Sequence, residues 1–160
     1  MPKSKQADSH KRPLSRKLID KLVAERQQML VLLWELSKLD LSQADETVLS
    51  TLDDFQEILV DYIAAGHFGL YQRIIEGNER RQAVLNTAAE IYSRIEQSTD
   101  VAVEFSERYD APEAALIEAK LSADLSRLGE VVTTRIELED SLILALLDGD
   151  YAIPPAQAGI

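Results

Sequence analysis

VLNTAAEIYSRIEQSTDVAVEFSERY, residues 84–109, is the stretch that decides the fold. Val84, Ala88, Ile91, Ile95, Ser98, Ala102, Phe105 and Tyr109 recur in it at alternating spacings of four and three. At 3.6 residues per turn those positions fall on one side of a helix, the seam of an antiparallel bundle or coiled coil. Asp110-Ala111-Pro112 ends the repeat, and Pro112, with its fixed φ and missing N–H, suits the opening of a following helix.

The same period extends in both directions. Downstream, from Glu113 to about Leu147, the apolar positions are Leu116, Leu121, Leu125, Leu128, Val132, Ile136, Ile143 and Leu147, with Gly149 closing the segment. A helix of that length spans roughly 50 Å at 1.5 Å per residue, so it is expected to bend near Gly129 or to project beyond its neighbours. Upstream, Ser15 to Lys38 places Leu18, Leu22, Met29, Leu33 and Leu36 on one side, with Ile19, Val23 and Leu30 adjoining and Ser15 as N-cap. Leu39-Asp40-Leu41-Ser42 reads as a loop. A second helix starts between Ala44 and Thr47 and continues to Ala65. The glycines of Ala65-Gly66-His67-Phe68-Gly69 then mark a corner, and a short helical continuation, Leu70 to Ile75, ends at Gly77-Asn78. Strand-like alternation is missing. The pattern predicts an all-α fold: an antiparallel up-down four-helix bundle with a short extra helix and disordered termini. Its divisions are a basic tail over 1–14, the bundle over 15–150 and a C-terminal tail over 151–160.

Composition narrows the function. The chain of 160 residues has no cysteine, which excludes disulfides and thiolate chemistry, and carries a net charge of −11. That charge is unevenly placed. Lys3, Lys5, Lys11, Arg12, Arg16 and Lys17 crowd the start against Asp8 alone, so the body is more acidic than the total. An acidic body repels nucleic-acid phosphates and anionic lipid and attracts basic protein surfaces, although acidity also serves plain solubility. No apolar run is long enough to span a membrane, and the basic start lacks the apolar stretch of a signal peptide. A cytoplasmic protein with neither a specific nucleic-acid nor a membrane partner is expected.

Catalytic and metal chemistry find little support. A carboxylate-bridged di-metal site in a bundle needs two Glu-x-x-His pairs, whereas only His10 and His67 exist and Ala64 stands three residues before His67. There is no Gly-x-Ser-x-Gly elbow and no glycine-rich phosphate loop. No catalytic residue, cofactor or metal is therefore assigned.

Binding is better supported. In LDDFQEILVDYIAAGHFGLYQRI, Leu52–Ile74, Leu52, Phe55, Leu59, Tyr62 and Ile63 share one side. Asp53, Asp54, Glu57 and Asp61 lie largely on the other. Such a row of carboxylates is either a solvated face or a docking face for arginines and lysines. The unbroken Met29-Leu30-Val31-Leu32-Leu33-Trp34 wraps apolar side chains around most of its helix, so that helix is either central or carries a docking surface that includes Trp34. An adaptor bundle for some other basic signalling or metabolic protein satisfies these features equally.

Leu52–Ile74 also resembles the most distinctive segment of the Rsd/AlgQ family, bacterial regulators of the primary sigma factor of RNA polymerase. KLIDKLVAERQQMLVLLWEL (Lys17–Leu36) is similar to that family's first helix, and RIELEDSLILALLD (Arg135–Asp148) to the end of its last. The basic leader and Pro154-Pro155 lie outside the recognisable pattern. The resemblance implies an anti-sigma factor that holds the C-terminal, −35-reading region of the primary sigma factor and lowers its association with core polymerase as growth slows. For the AlgQ branch it implies control of alginate, siderophore or virulence genes. Asp61 is then the leading contact, as acceptor for an arginine or lysine. Asp54 and Glu57 extend the acidic surface, and His67, Phe68 and Tyr71 shape the corner, with Phe68 either there or in the core. Gln28, Leu32 and Glu35 share a side of the first helix and supply the remainder. A homodimer of the free protein through the apolar side of that helix is compatible with the same surface.

Overall fold

The computed structural model describes residues 2–72, 74 and 81–147, with side chains from Arg16 onward. Among the described residues it is all helical. α1 is Pro2–Ser37, α2 is Glu46–Ala64, α3 is Gln82–Arg108, and α4, 114–147, is built from Ala114–Leu116, a π-helical turn Ile117–Leu121 and Ser122–Leu147. The expected tail 151–160, Gly149 and the Gly77-Asn78 stop lie outside the described residues.

The helix ends follow local chemistry. Asp45 caps α2, its carboxylate accepting from the Val48 amide at 2.9 Å, which satisfies one of the free N–H groups of the first turn. α3 ends at the predicted place, and the chain reverses through Ala111 at φ 50°, a left-handed conformation that a residue with a Cβ seldom takes. Pro112 sits just ahead of α4, whose N-cap is Glu113.

Three boundaries differ from the sequence reading. α1 begins at Pro2 rather than near Ser15: residues 3–12 hold no β-branched side chain and several strong helix formers, so no break in backbone marks the predicted end of the leader. Second, the glycines after Ala64 do not break the helix. α2 passes directly into a π-helical stretch, Ala65–Tyr71, which takes in Leu70 and Tyr71 of the expected short continuation; its end at Ile75 lies outside the described residues. Third, α4 carries a π-helical turn at Ile117–Leu121 that the sequence reading did not foresee, and it is α-helical through Gly129.

Each helix packs on the next in sequence, and α4 closes the ring against α1. Cross-helix contacts fix the antiparallel sense. Arg108 meets Asp124 near one end of the α3–α4 pair, Arg135 meets Ser98 and Thr99 at its middle, and Arg81 donates to the Leu146 carbonyl at the other end. All eight seam residues from Val84 to Tyr109 are buried. Phe55 meets Phe105 edge-on at 6.1 Å between ring centres, the favoured aromatic geometry, and so locks α2 to α3.

The core is not wholly apolar. Arg135 is 1 % exposed and Glu139 4 % exposed, one turn apart on α4, with Arg135 Nε donating to Glu139 Oε2 at 3.0 Å. Tyr62 of α2 donates its hydroxyl to Glu139 Oε1 at 2.6 Å. The other end of the guanidinium reaches Thr99 Oγ1 at 2.7 Å and Ser98 Oγ at 3.0 Å on α3. Arg26 of α1 bonds Asp140 at 2.9 Å and approaches Glu139 at 3.5 Å. One buried network thus touches all four helices. An ion pair taken out of water is tolerable only when its remaining hydrogen bonds are filled, as they are here.

Candidate functional site

The acidic face of α2 is open. Asp54, Glu57 and Asp61 are exposed, and among the described residues no arginine or lysine pairs with any of the three. Their spacing of three and four keeps them on one face of the helix. Glu46, Asp53, Glu57, Asp61 and Asp110 border a groove of about 770 Å³ between α2 and the α3–α4 turn, with Leu49 and Val60 supplying exposed apolar surface. Among the described residues no cation lines that groove. Carboxylates around an apolar strip suit an amphipathic basic element, since each charge keeps water access until a cation arrives.

One turn beyond Asp61 lies the π-helical stretch. Phe68 is 66 % exposed, the most exposed large apolar side chain among the described residues, and the His67 ring meets it edge-on at 4.8 Å. Phe68 therefore belongs to the surface and not to the core. His67 is half-buried beneath it. Tyr71 is buried and donates its hydroxyl to the Ala88 carbonyl at 2.7 Å, so it holds the stretch from below and offers no surface. Burial pushes that hydroxyl's pKa up to about 12, and the neighbouring Tyr92 adds to the effect.

On α1, Gln28 and Glu35 are exposed and Leu32 is half-buried. The apolar surplus of this helix divides between core and surface: Met29 is fully buried, while Val31 is exposed and Trp34 is 59 % exposed with Lys38 Nζ 3.7 Å from its ring centre. Leu18 and Leu22 of α1 lie against Gly69 and Gly66, which sets the middle of α1 beside the π-helical stretch.

Sequence reasoning missed the support under this surface. A Cβ on Gly66 would stand 3.0 Å from Arg135 Nη2 and 3.4 Å from Glu139 Oε2. The glycine permits backbone to lie directly on the buried guanidinium; it is not there to turn the chain. Burial raises the pKa of Glu139 above the usual carboxyl value, against the pull of Arg135, the Tyr62 hydroxyl and Arg26. Arg135 and Glu139 fall at seam spacing, three and seven residues after Val132 and seven and three before Leu142, and two charged residues on that apolar face were the available signal.

Among the described residues no three carboxylate or imidazole groups gather as metal ligands, and no helix is long and apolar enough to cross a membrane. Fold and surface together define a helical bundle with an open, acidic and partly apolar face. Its relatives place it more narrowly. Residues 1–147 match the family described as regulator of RNA polymerase sigma(70) subunit, Rsd/AlgQ. The chain is 34 % identical over 151 residues to "Regulator of sigma D" of Escherichia coli K12/DH10B, covering 89 % of this chain and 91 % of that protein. The same figures hold for the proteins of that name from Shigella boydii serotype 18 and Escherichia coli O157:H7. The protein belongs to the Rsd/AlgQ family. Its basic leader, outside the pattern recognised in the sequence, falls inside the family match.

Proposed function

We propose that this protein is a non-catalytic, cytoplasmic anti-sigma factor that captures the C-terminal region of the primary sigma factor and so reduces that factor's association with core polymerase. The supporting observation is the open carboxylate row Asp54, Glu57 and Asp61, with the exposed Phe68 further along the same run of helix, in a chain whose family regulates sigma(70). A sigma region that reads the −35 element through a helix-turn-helix presents cations where DNA phosphates would lie. Carboxylates at helical pitch meet those cations in place of phosphate and form charge-assisted hydrogen bonds to arginine. Asp61 is the central acceptor, with Phe68 as the apolar anchor further along the helix. Gln28, Leu32 and Glu35 extend the surface onto α1.

Size-exclusion chromatography with light scattering tests this reading. Purified protein mixed with the C-terminal sigma region is expected to elute as one stoichiometric complex that weakens in high salt. Separate elution at every ratio would refute it. The run without the fragment also tests whether Val31 and Trp34 support a homodimer in the free protein.

A further inference from the structure

The π-helical stretch Ala65–Tyr71 is displayed to solvent but held from inside. π-helical turns are rare and recur at functional sites, and a widened turn persists only when surrounding contacts impose it. Three contacts do so here. Tyr62, one turn earlier, is tied to Glu139 at 2.6 Å. Gly66 lies on Arg135 closely enough that a Cβ would reach 3.0 Å from Nη2. Tyr71 closes the far end on Ala88 at 2.7 Å. Arg135 is in turn oriented by Ser98, Thr99 and Glu139, so its guanidinium is a fixed platform and not a mobile side chain. On the outer side of the same stretch stand His67 and Phe68, following Asp61.

We infer that Arg135 and Glu139, out of reach of any partner, are positioning residues for partner docking: through Tyr62 and Gly66 they hold the π-helical register in which Phe68 is displayed past Asp61. The inference rests on the functional reading above and adds residues that touch no partner. It also joins two of the three stretches that resemble the family, Leu52–Ile74 and Arg135–Asp148. Tyr62 and Gly66 come from one, Arg135 and Glu139 from the other, and they meet in the core.

A triple variant, Tyr62→Phe/Arg135→Met/Glu139→Leu in the full chain, tests it. Replacing a whole buried ionic group by apolar side chains of similar volume is often neutral or stabilising, because no orphaned charge remains. Ser98 and Thr99 retain their bonds to the Ile95 carbonyl. Three readings are taken: the thermal midpoint, amide hydrogen exchange over residues 65–71, and affinity for the C-terminal sigma fragment. The expected result is a folded protein whose 65–71 amides exchange at least tenfold faster and whose affinity falls at least tenfold. A folded variant with wild-type exchange or wild-type affinity overturns the inference. Should the triple variant fail to fold, Gly66→Ala perturbs the same contact from the helix side and is judged by the same readings. Should wild-type protein fail to bind the fragment, the functional reading falls, and the exchange rates still decide whether the network holds this stretch.

Discussion

Tyr62→Phe removes one oxygen from the centre of the molecule and nothing else. The ring is fully buried and a phenylalanine fills the same space, so no cavity opens. What is lost is the 2.6 Å hydrogen bond to Glu139, a donor to a buried carboxylate. Hydrogen bonds to charged groups contribute about 1.5–3 kcal/mol net, so the variant is expected to lose roughly 2 kcal/mol. For a chain of this size that corresponds to a fall of about 4–8 °C in Tm. The pH dependence identifies the cause. Burial raises the pKa of Glu139 and the Tyr62 hydroxyl opposes that rise, so removing the hydroxyl raises the native-state value further. A group whose native pKa is raised loses stability as pH climbs through it. The cost of Tyr62→Phe is therefore largest at neutral pH and shrinks as pH falls through the carboxyl's native value. Calorimetry at pH 7 and in mild acid measures both quantities. A midpoint shift below about 1 °C at pH 7, or an equal shift at both pH values, would refute the claim that the hydroxyl stabilises an ionised carboxylate.

Two glycines give opposite signs for one substitution. Gly66→Ala drives a methyl against Arg135 and Glu139, which their own bonds hold in place, and is expected to cost about 1–3 kcal/mol in urea unfolding. Gly129→Ala, with no atom within 4 Å of the new Cβ, should stabilise by about 0.5–1 kcal/mol. At Asp124 burial raises the pKa, but hydrogen bonds from Tyr109 and Arg108 outweigh it and leave the carboxyl below its ordinary 3.8. A depressed carboxyl contributes stability above its unfolded value and loses it as pH falls through the native one. Asp124→Ala should thus be less stable than wild type at neutral pH, with the two unfolding midpoints converging below pH 3.8.

The bundle was legible because a helix seam is a local, repeating signal. The eight residues from Val84 to Tyr109 announce a buried stripe by spacing alone, and Pro112 stands just ahead of the helix it was expected to open. The acidic face of α2 was legible for the same reason, as were the exposed positions of Asp54, Glu57 and Asp61. What escaped is non-local. Tyr62 and Glu139 are 77 residues apart, and nothing in either neighbourhood names the other. The π-helical stretch escaped because Gly66 and Gly69 resemble a helix stop, and only the guanidinium beneath Gly66 shows why a glycine is required. Trp34 illustrates the remaining ambiguity. A run of six apolar residues does not specify which of them the neighbouring helices cover, and Met29 is fully buried while Trp34 is left in solvent.

The central claim is that an open carboxylate on α2 captures a cationic sigma surface, and isothermal titration of the C-terminal sigma region into wild-type protein and Asp61→Ala tests it most directly. Losing one partner of a charged hydrogen bond should weaken binding by about 1–3 kcal/mol, roughly 5- to 150-fold in Kd, with the circular dichroism spectrum and Tm unchanged because Asp61 is exposed and pairs with no arginine or lysine among the described residues. An unchanged Kd in a folded Asp61→Ala protein would contradict the account.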